Sequence, residues 1–169
     1  VAVLATPATH FQFLGWSGDI SGSENPVNIV MDADHSLEAV FGEIMTTNHP
    51  TPLWWLADHG YTQDFETAVT SLGANGIPVW QSYVAGLNPN DPNSQLRLWV
   101  SLAGDGTSAN LRGNAVSGRQ YSVLQSTEPS NCYTPIPQGA ELPWTISYLT
   151  NQVNPAAPAV FYRVQVIEP

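Results

Sequence analysis

The chain contains no lysine, and its only cations are Arg97, Arg112, Arg119 and Arg163, set against fourteen acidic residues. The resulting net charge of −10 repels phosphate backbones and anionic headgroups, which excludes nucleic acid and membrane surfaces as partners. A single cysteine, Cys132, permits no internal disulfide, and with no basic neighbour in sequence to activate it the thiol reads as buried or idle. No apolar run approaches the roughly 20 residues of a membrane-spanning helix; patches such as Pro52 to Ala57 are far too short, so membrane insertion is excluded. Charged residues make up only 11% of the chain, and the polarity is carried by Ser, Thr, Asn and Gln. An acidic, lysine-free surface suits a secreted or cell-surface protein and offers trypsin-like proteases few cleavage points, although a biased genome gives the same composition.

Catalytic motifs are missing as well. There is no Gly-x-Ser-x-Gly elbow, no Cys/His pair and no phosphate-binding glycine loop. The four histidines, His10, His35, His49 and His59, include no i, i+4 pair of the kind that binds a metal; His59 stands beside a helix-ending glycine, where an imidazole can meet the helix C-terminus. Asp32 with Asp34, and Asp19 with Glu24, are the only pairs resembling a glycosidase dyad. Both lie in short turns, where Asp serves the backbone, and no cleft is implied around them. The chain therefore reads as a non-enzyme.

What is present is hydrophobic content of 43% over 169 residues, enough for one ordinary domain or two small ones. The expected fold is mainly β with a short helical insert, in three parts and without internal repeats. Residues 1–45 form a β unit with strands over Val1 to Thr6, Phe11 to Trp16, Val27 to Met31 and Ser36 to Phe41; Leu37, Ala39 and Phe41 lie on one face of the last. Residues 46–95 change period. Thr51 caps a helix with Pro52 in first position and Gly60 as its stop. A second helix starts near Gln63 and buries Phe65, Ala68, Val69 and Leu72. A third runs from Pro78 to Ala85 with Trp80, Tyr83 and Val84 inward and Gly86 as its stop. Residues 96–169 return to strands, with Leu96, Leu98, Val100 and Leu102 alternating against Arg97, Trp99 and Ser101, and further strands over Gln120 to Ser126, Trp144 to Leu149 and Ala159 to Ile167. This spacing suggests a C-terminal β-sandwich.

The run Phe13-Leu14-Gly15-Trp16-Ser17-Gly18-Asp19, continuing through Asn25-Pro26 and Met31-Asp32-Ala33-Asp34 to Ala39-Val40-Phe41, resembles the divergent internalin-type B repeat of bacterial surface proteins. The resemblance covers residues 1–43. It implies an extracellular, modular, non-catalytic setting, with a hairpin expected ahead of Val1 in a longer precursor or parent chain. The edge so left open would be covered by a neighbouring module or another chain. Residues 51–93 resemble a dockerin-like or thrombospondin type 3-like calcium segment, as found in secreted proteins of planctomycetes and verrucomicrobia. That family places acidic residues at positions that here are Ser71, Gly73 and Asn75, and a distal glutamate at a position that here is Ser82. Calcium requires six to eight oxygens, many of them carboxylate, and this degenerate loop supplies no carboxylate. No cofactor is therefore expected in the loop; a weaker calcium site at Asn88, Asn90 and Asp91 competes with turn capping as the explanation of those residues. The strands around Gly118 to Ser126 and Phe161 to Val166 resemble the terminal β-sandwich that follows such helices.

Six Trp and six Tyr are many for this length. Trp16, Trp54 and Trp80 are expected in cores. Trp99, Trp144, Tyr148 and Tyr133 are the candidates for a saccharide platform, since sugar rings stack on exposed aromatic faces while amide side chains supply hydrogen bonds. Two functions follow from these residues. The first is a structural or adhesive module of a secreted or surface-assembled bacterial protein, with neighbouring modules or chains as partners. The alternative is a carbohydrate-binding accessory module of a polysaccharide-degrading enzyme, which an exposed row of aromatics containing Trp99 or Trp144 would favour.

Overall fold

The computed structural model describes residues 1–104, 106–130, 132–143, 145, 148–153 and 159–167. Among these the chain is mainly β with three short helices, and it divides into two compact units, Val1–Ser71 and Leu72–Pro169. The boundary falls inside the stretch 46–95, so two of the helices belong to the first unit and the third to the second.

The first unit pairs β1 (Ala2–Val3) with β3 (Val27–Asn28) and β2 (Phe11–Gly18) with β4 (Leu37–Glu43), both antiparallel. Strict alternation would send Phe13 and Trp16 to opposite faces. A register shift between Phe13 and Gly15 resets the phase, as a bulge does, and both residues pack on one core with Ala5, Val27 and Ile29. The Trp16 indole N–H donates to the Glu24 carbonyl at 2.9 Å, and the Asn25 amide bonds both backbone groups of Ala5, at 2.9 and 2.7 Å. Buried polar groups are thereby satisfied where the loop closes over the ring.

Helices α1 (Leu53–Asp58) and α2 (Phe65–Thr70) are each under two turns, too short to persist alone, and fully buried Leu56 and Val69 anchor them. Thr51 does not cap α1. Its hydroxyl donates to the His49 carbonyl at 2.9 Å, and Pro52 takes the cap position without a side-chain bond. Asp64 caps α2, accepting from the Thr67 N–H at 3.3 Å. Leu72, expected inward, lies beyond the end of α2 and is 69% exposed. His59 meets the end of α1 as expected, its Nδ1 lying 2.8 Å from the Trp55 carbonyl.

In the second unit α3 (Val79–Ala85) ends at Gly86, whose left-handed φ of 68° and close approach to Val116 both require glycine. Its buried residues are Val79, Ser82 and Ala85; Trp80, Tyr83 and Val84 are half-buried, so the inward face is rotated from the expected one. The strands form two sheets. In one, β5 (Leu98–Leu102), β6 (Ser108–Gly113) and β10 (Tyr148–Gln152) lie in the order β10-β6-β5. In the other, β7 (Gln120–Ser126) pairs with β11 (Phe161–Ile167) on one side and with β8 (Thr134–Pro135) and β9 (Leu142–Pro143) on the other. All pairings are antiparallel. Leu111 is 1% exposed and packs with Tyr121, Val123, Ile136 and Leu142, while Leu98, Leu149, Val164 and Val166 close the cluster, so this core is drawn from both sheets. Buried Asn151 of β10 donates to the Gln125 side chain at 2.7 Å and to the Tyr162 hydroxyl at 3.1 Å, a polar tie between the sheets.

The expected inward row on β5 ends early. Leu98 packs on the core but Val100 and Leu102 are exposed, because β5 is the edge strand and has a neighbour on one side only. The contrast gives a direct test. Leu111→Ala should cost about 2–5 kcal/mol of unfolding free energy in chemical denaturation, whereas Leu102→Ala should stay within about 0.5 kcal/mol of the parent chain. Equal losses would mean that the core does not run along β6 as described.

Candidate functional site

Alternation on β5, β6 and β10 sends every second residue to the outer face of the three-stranded sheet. Trp99 lies directly opposite Arg112, and Arg112 lies directly opposite Tyr148, so the three form one row across the strands. Ser101, Asn110 and Thr150 form the next row on the same face, with the Thr150 hydroxyl donating to Asn110 Oδ1 at 3.3 Å. Trp99 is 50% and Tyr148 57% exposed. Together with Ser101, Asn110 and Arg112 they line an open depression of about 460 Å³. Two strand spacings, roughly 10 Å, separate the two aromatic residues, with Arg112 on the strand between them.

Of the four candidate aromatics, the fold brings together Trp99 and Tyr148. Tyr133 does not join them: its ring is covered by the Arg163 guanidinium, 4.2 Å from the centroid, beside the other sheet. Trp144 lies outside the described residues; of the strand expected over 144–149, Tyr148 and Leu149 fall in β10. Sequence reasoning missed Arg112, Asn110 and Ser101 as site residues. Their strand alternation was readable, but their place in the site depends on which strand lies beside which. Cys132 is exposed, not buried.

The loop that resembles a degenerate calcium site is organised by an amide. Asn75 is 4% exposed, and its Nδ2 donates to Ser82 Oγ at 3.0 Å and to the carbonyls of Ser94 and Asn88 at 3.3 and 3.4 Å. Its Oδ1 accepts from the Ile77 N–H at 3.1 Å. A Cβ on Gly73 would stand 2.6 Å from the Pro89 carbonyl oxygen, so the loop also closes too tightly there for a side chain. The Ser71 hydroxyl bonds back to the Ala68 carbonyl at 2.7 Å. In the connector, Asn88 Oδ1 accepts from the Asn90 N–H and Asp91 Oδ1 from the Asn93 N–H, each at 2.9 Å, the geometry of side chains capping their own turns. Among the described residues no three His, Cys, Asp or Glu side chains gather as metal ligands, and no helix is long and apolar enough to cross a membrane.

No protein-family model, curated protein or solved structure matches this chain.

Removing the amide should loosen the whole loop. Asn75→Ala leaves buried partners unpaired and is expected to cost about 2–4 kcal/mol in denaturant titration. Asn75→Asp keeps the shape but replaces a donor facing the Asn88 and Ser94 carbonyls with another acceptor, and should be at least as damaging at neutral pH. A stable Asn75→Asp variant would mean that something other than this amide orders the loop.

Proposed function

We propose that this chain is a non-catalytic extracellular adhesive module whose second unit binds saccharide on the open face of the three-stranded sheet. The observation that carries the reading is the pair of half-exposed aromatics, Trp99 and Tyr148, facing the same way with the Arg112 guanidinium between them and the Ser101 hydroxyl and Asn110 amide in the row beside them. A saccharide offers an apolar ring face and a rim of hydroxyls. The first matches an aromatic side chain, and the second matches Ser101 and Asn110, which both donate and accept. Among the described residues the lining includes no carboxylate and no nucleophile–base pair, which supports holding a ligand over reacting with it. The B-repeat resemblance of residues 1–43 and the acidic, lysine-free composition support an extracellular, modular setting for this binding.

A second reading rests on a separate observation in the first unit. Val1, Leu4, Val30 and Met31, on or beside the short β1–β3 pair, are all exposed. A strand from a neighbouring module or chain added there would cover them. Sedimentation over a wide concentration range should then show association that Val30→Glu with Met31→Glu removes. A chain that stays monomeric throughout removes the ground for self-assembly.

Three outcomes are expected for the saccharide reading. Titration with soluble polysaccharides should shift tryptophan fluorescence saturably. Trp99→Ala should weaken binding roughly 10- to 100-fold, while Tyr133→Ala leaves it unchanged. Calcium and EDTA should alter neither the affinity nor the Tm, since the loop that resembles a calcium site is ordered by Asn75. Binding that survives Trp99→Ala would move the site elsewhere, and an EDTA-reversible rise in Tm would place a cation in the 88–94 connector.

A further inference from the structure

We infer that the saccharide bound on this face is anionic, its carboxylate or sulfate ester held by Arg112; the inference rests on the saccharide reading above. Charge is unevenly divided along the chain. Val1–Ser71 carries nine carboxylates and no arginine, whereas Leu72–Pro169 carries five carboxylates and all four arginines. The strong acidity therefore belongs to the first unit, and the second is nearly neutral. Three of its arginines are engaged. Arg119 donates to the Tyr83 carbonyl at 2.8 Å and lies over the Tyr83 ring, Arg163 lies over the Tyr133 ring, and Arg97 reaches the Gln95 side chain at 3.5 Å. Arg112 is exposed, and among the described residues it has no carboxylate, hydrogen-bond acceptor or aromatic ring as partner.

Its position gives that freedom a use. The row Trp99–Arg112–Tyr148 places the guanidinium between the two aromatics, and among the described residues none that lines the depression is acidic. A guanidinium presents a planar fork of donors that fits a carboxylate or sulfate with two parallel bonds. A ring stacked on Trp99 or Tyr148 would carry a substituent on its edge toward Arg112. A neutral sugar would leave the fork to water, whereas an acidic one would complete it.

The test uses the full chain and three oligosaccharides of matched length: an oligogalacturonate, a sulfated galactan and a neutral galactan. Calorimetry or tryptophan fluorescence is run at low and at physiological salt. We expect one or both anionic oligomers to bind about 10- to 100-fold more tightly than the neutral one, with the gap narrowing as salt rises. Which of the two binds separates carboxylate from sulfate as the recognised group. Arg112→Gln should lower anionic binding to the neutral level, while Arg112→Lys keeps part of the preference as a point charge. Arg112 is exposed, so both variants should fold, which circular dichroism checks. Equal binding of all three oligomers, or a preference that survives Arg112→Gln, overturns the inference and leaves the saccharide reading standing. Failure of all three, together with a broad neutral panel, overturns both.

Discussion

The open face of the second unit depends on the inward burial of Leu111. That side chain is 1% exposed, and it sits opposite Leu149 on one side and Val100 on the other. Its neighbour in sequence must therefore point outward, and Arg112 carries Tyr148 and Trp99 with it as the row one residue along. Because side chains alternate with period two, a slip of one residue would turn Arg112 into the core and Leu111 out to water. Burying an unpaired guanidinium costs far more than exposing a leucine, so the register is strongly specified. The Asn151 side chain reinforces it, since its bonds to Gln125 and Tyr162 form only when that face of β10 is turned toward the facing sheet. Core and outer aromatic face are thus two consequences of one alternation.

The loop before α3 shows a different solution to a problem usually met by a cation. Two backbone carbonyls and the Ser82 hydroxyl converge there, and convergent oxygens repel one another unless a positive or hydrogen-bearing group sits among them. Asn75 supplies a neutral amide whose hydrogens reach Ser82, Asn88 and Ser94. Its own oxygen takes the Ile77 N–H, which binds the loop to the start of the helix. Small and amide residues at 71, 73, 75 and 82 therefore suit this loop better than carboxylates would. A carboxylate at Asn75 would face acceptors, and any side chain at Gly73 would strike the Pro89 carbonyl.

Local rules were legible where one residue decides the outcome. Gly86 ends α3 because its φ is positive, and the alternation around Leu98 places Trp99 outward. The mainly β character with a short helical insert was likewise readable from the change of period along the chain. Rules failed where a competitor took the group in question. Thr51 has the chemistry of a cap, but the His49 carbonyl accepts its hydroxyl first. Leu72 continues the spacing of α2, but the helix has ended before it. On α3 the buried set runs Val79, Ser82, Ala85 because Asn75 draws the Ser82 hydroxyl inward, which no hydrophobic pattern records. Of the site, Trp99 and Tyr148 could be found one at a time as outward aromatics. Arg112 could not, because its role comes from two strands distant in sequence being placed on either side of it.

The division of charge explains why a single arginine can matter on so acidic a chain. Fields between exposed charges fade over about 8 Å at physiological ionic strength. What a ligand at the depression senses is therefore its own neighbourhood more than the total of −10. Nine of the fourteen carboxylates belong to the first unit, and the depression is lined by Trp99, Ser101, Asn110, Arg112 and Tyr148 without an acid among them. Scarcity sharpens the effect. With no lysine on the chain, and Arg97, Arg119 and Arg163 held by other groups, the one uncommitted cation among the described residues stands where two aromatic faces already offer a ring-sized platform. On the proposed reading selectivity would come from contrast: an anion would be repelled by most of the first unit's surface and met by a matching fork at one row of one sheet.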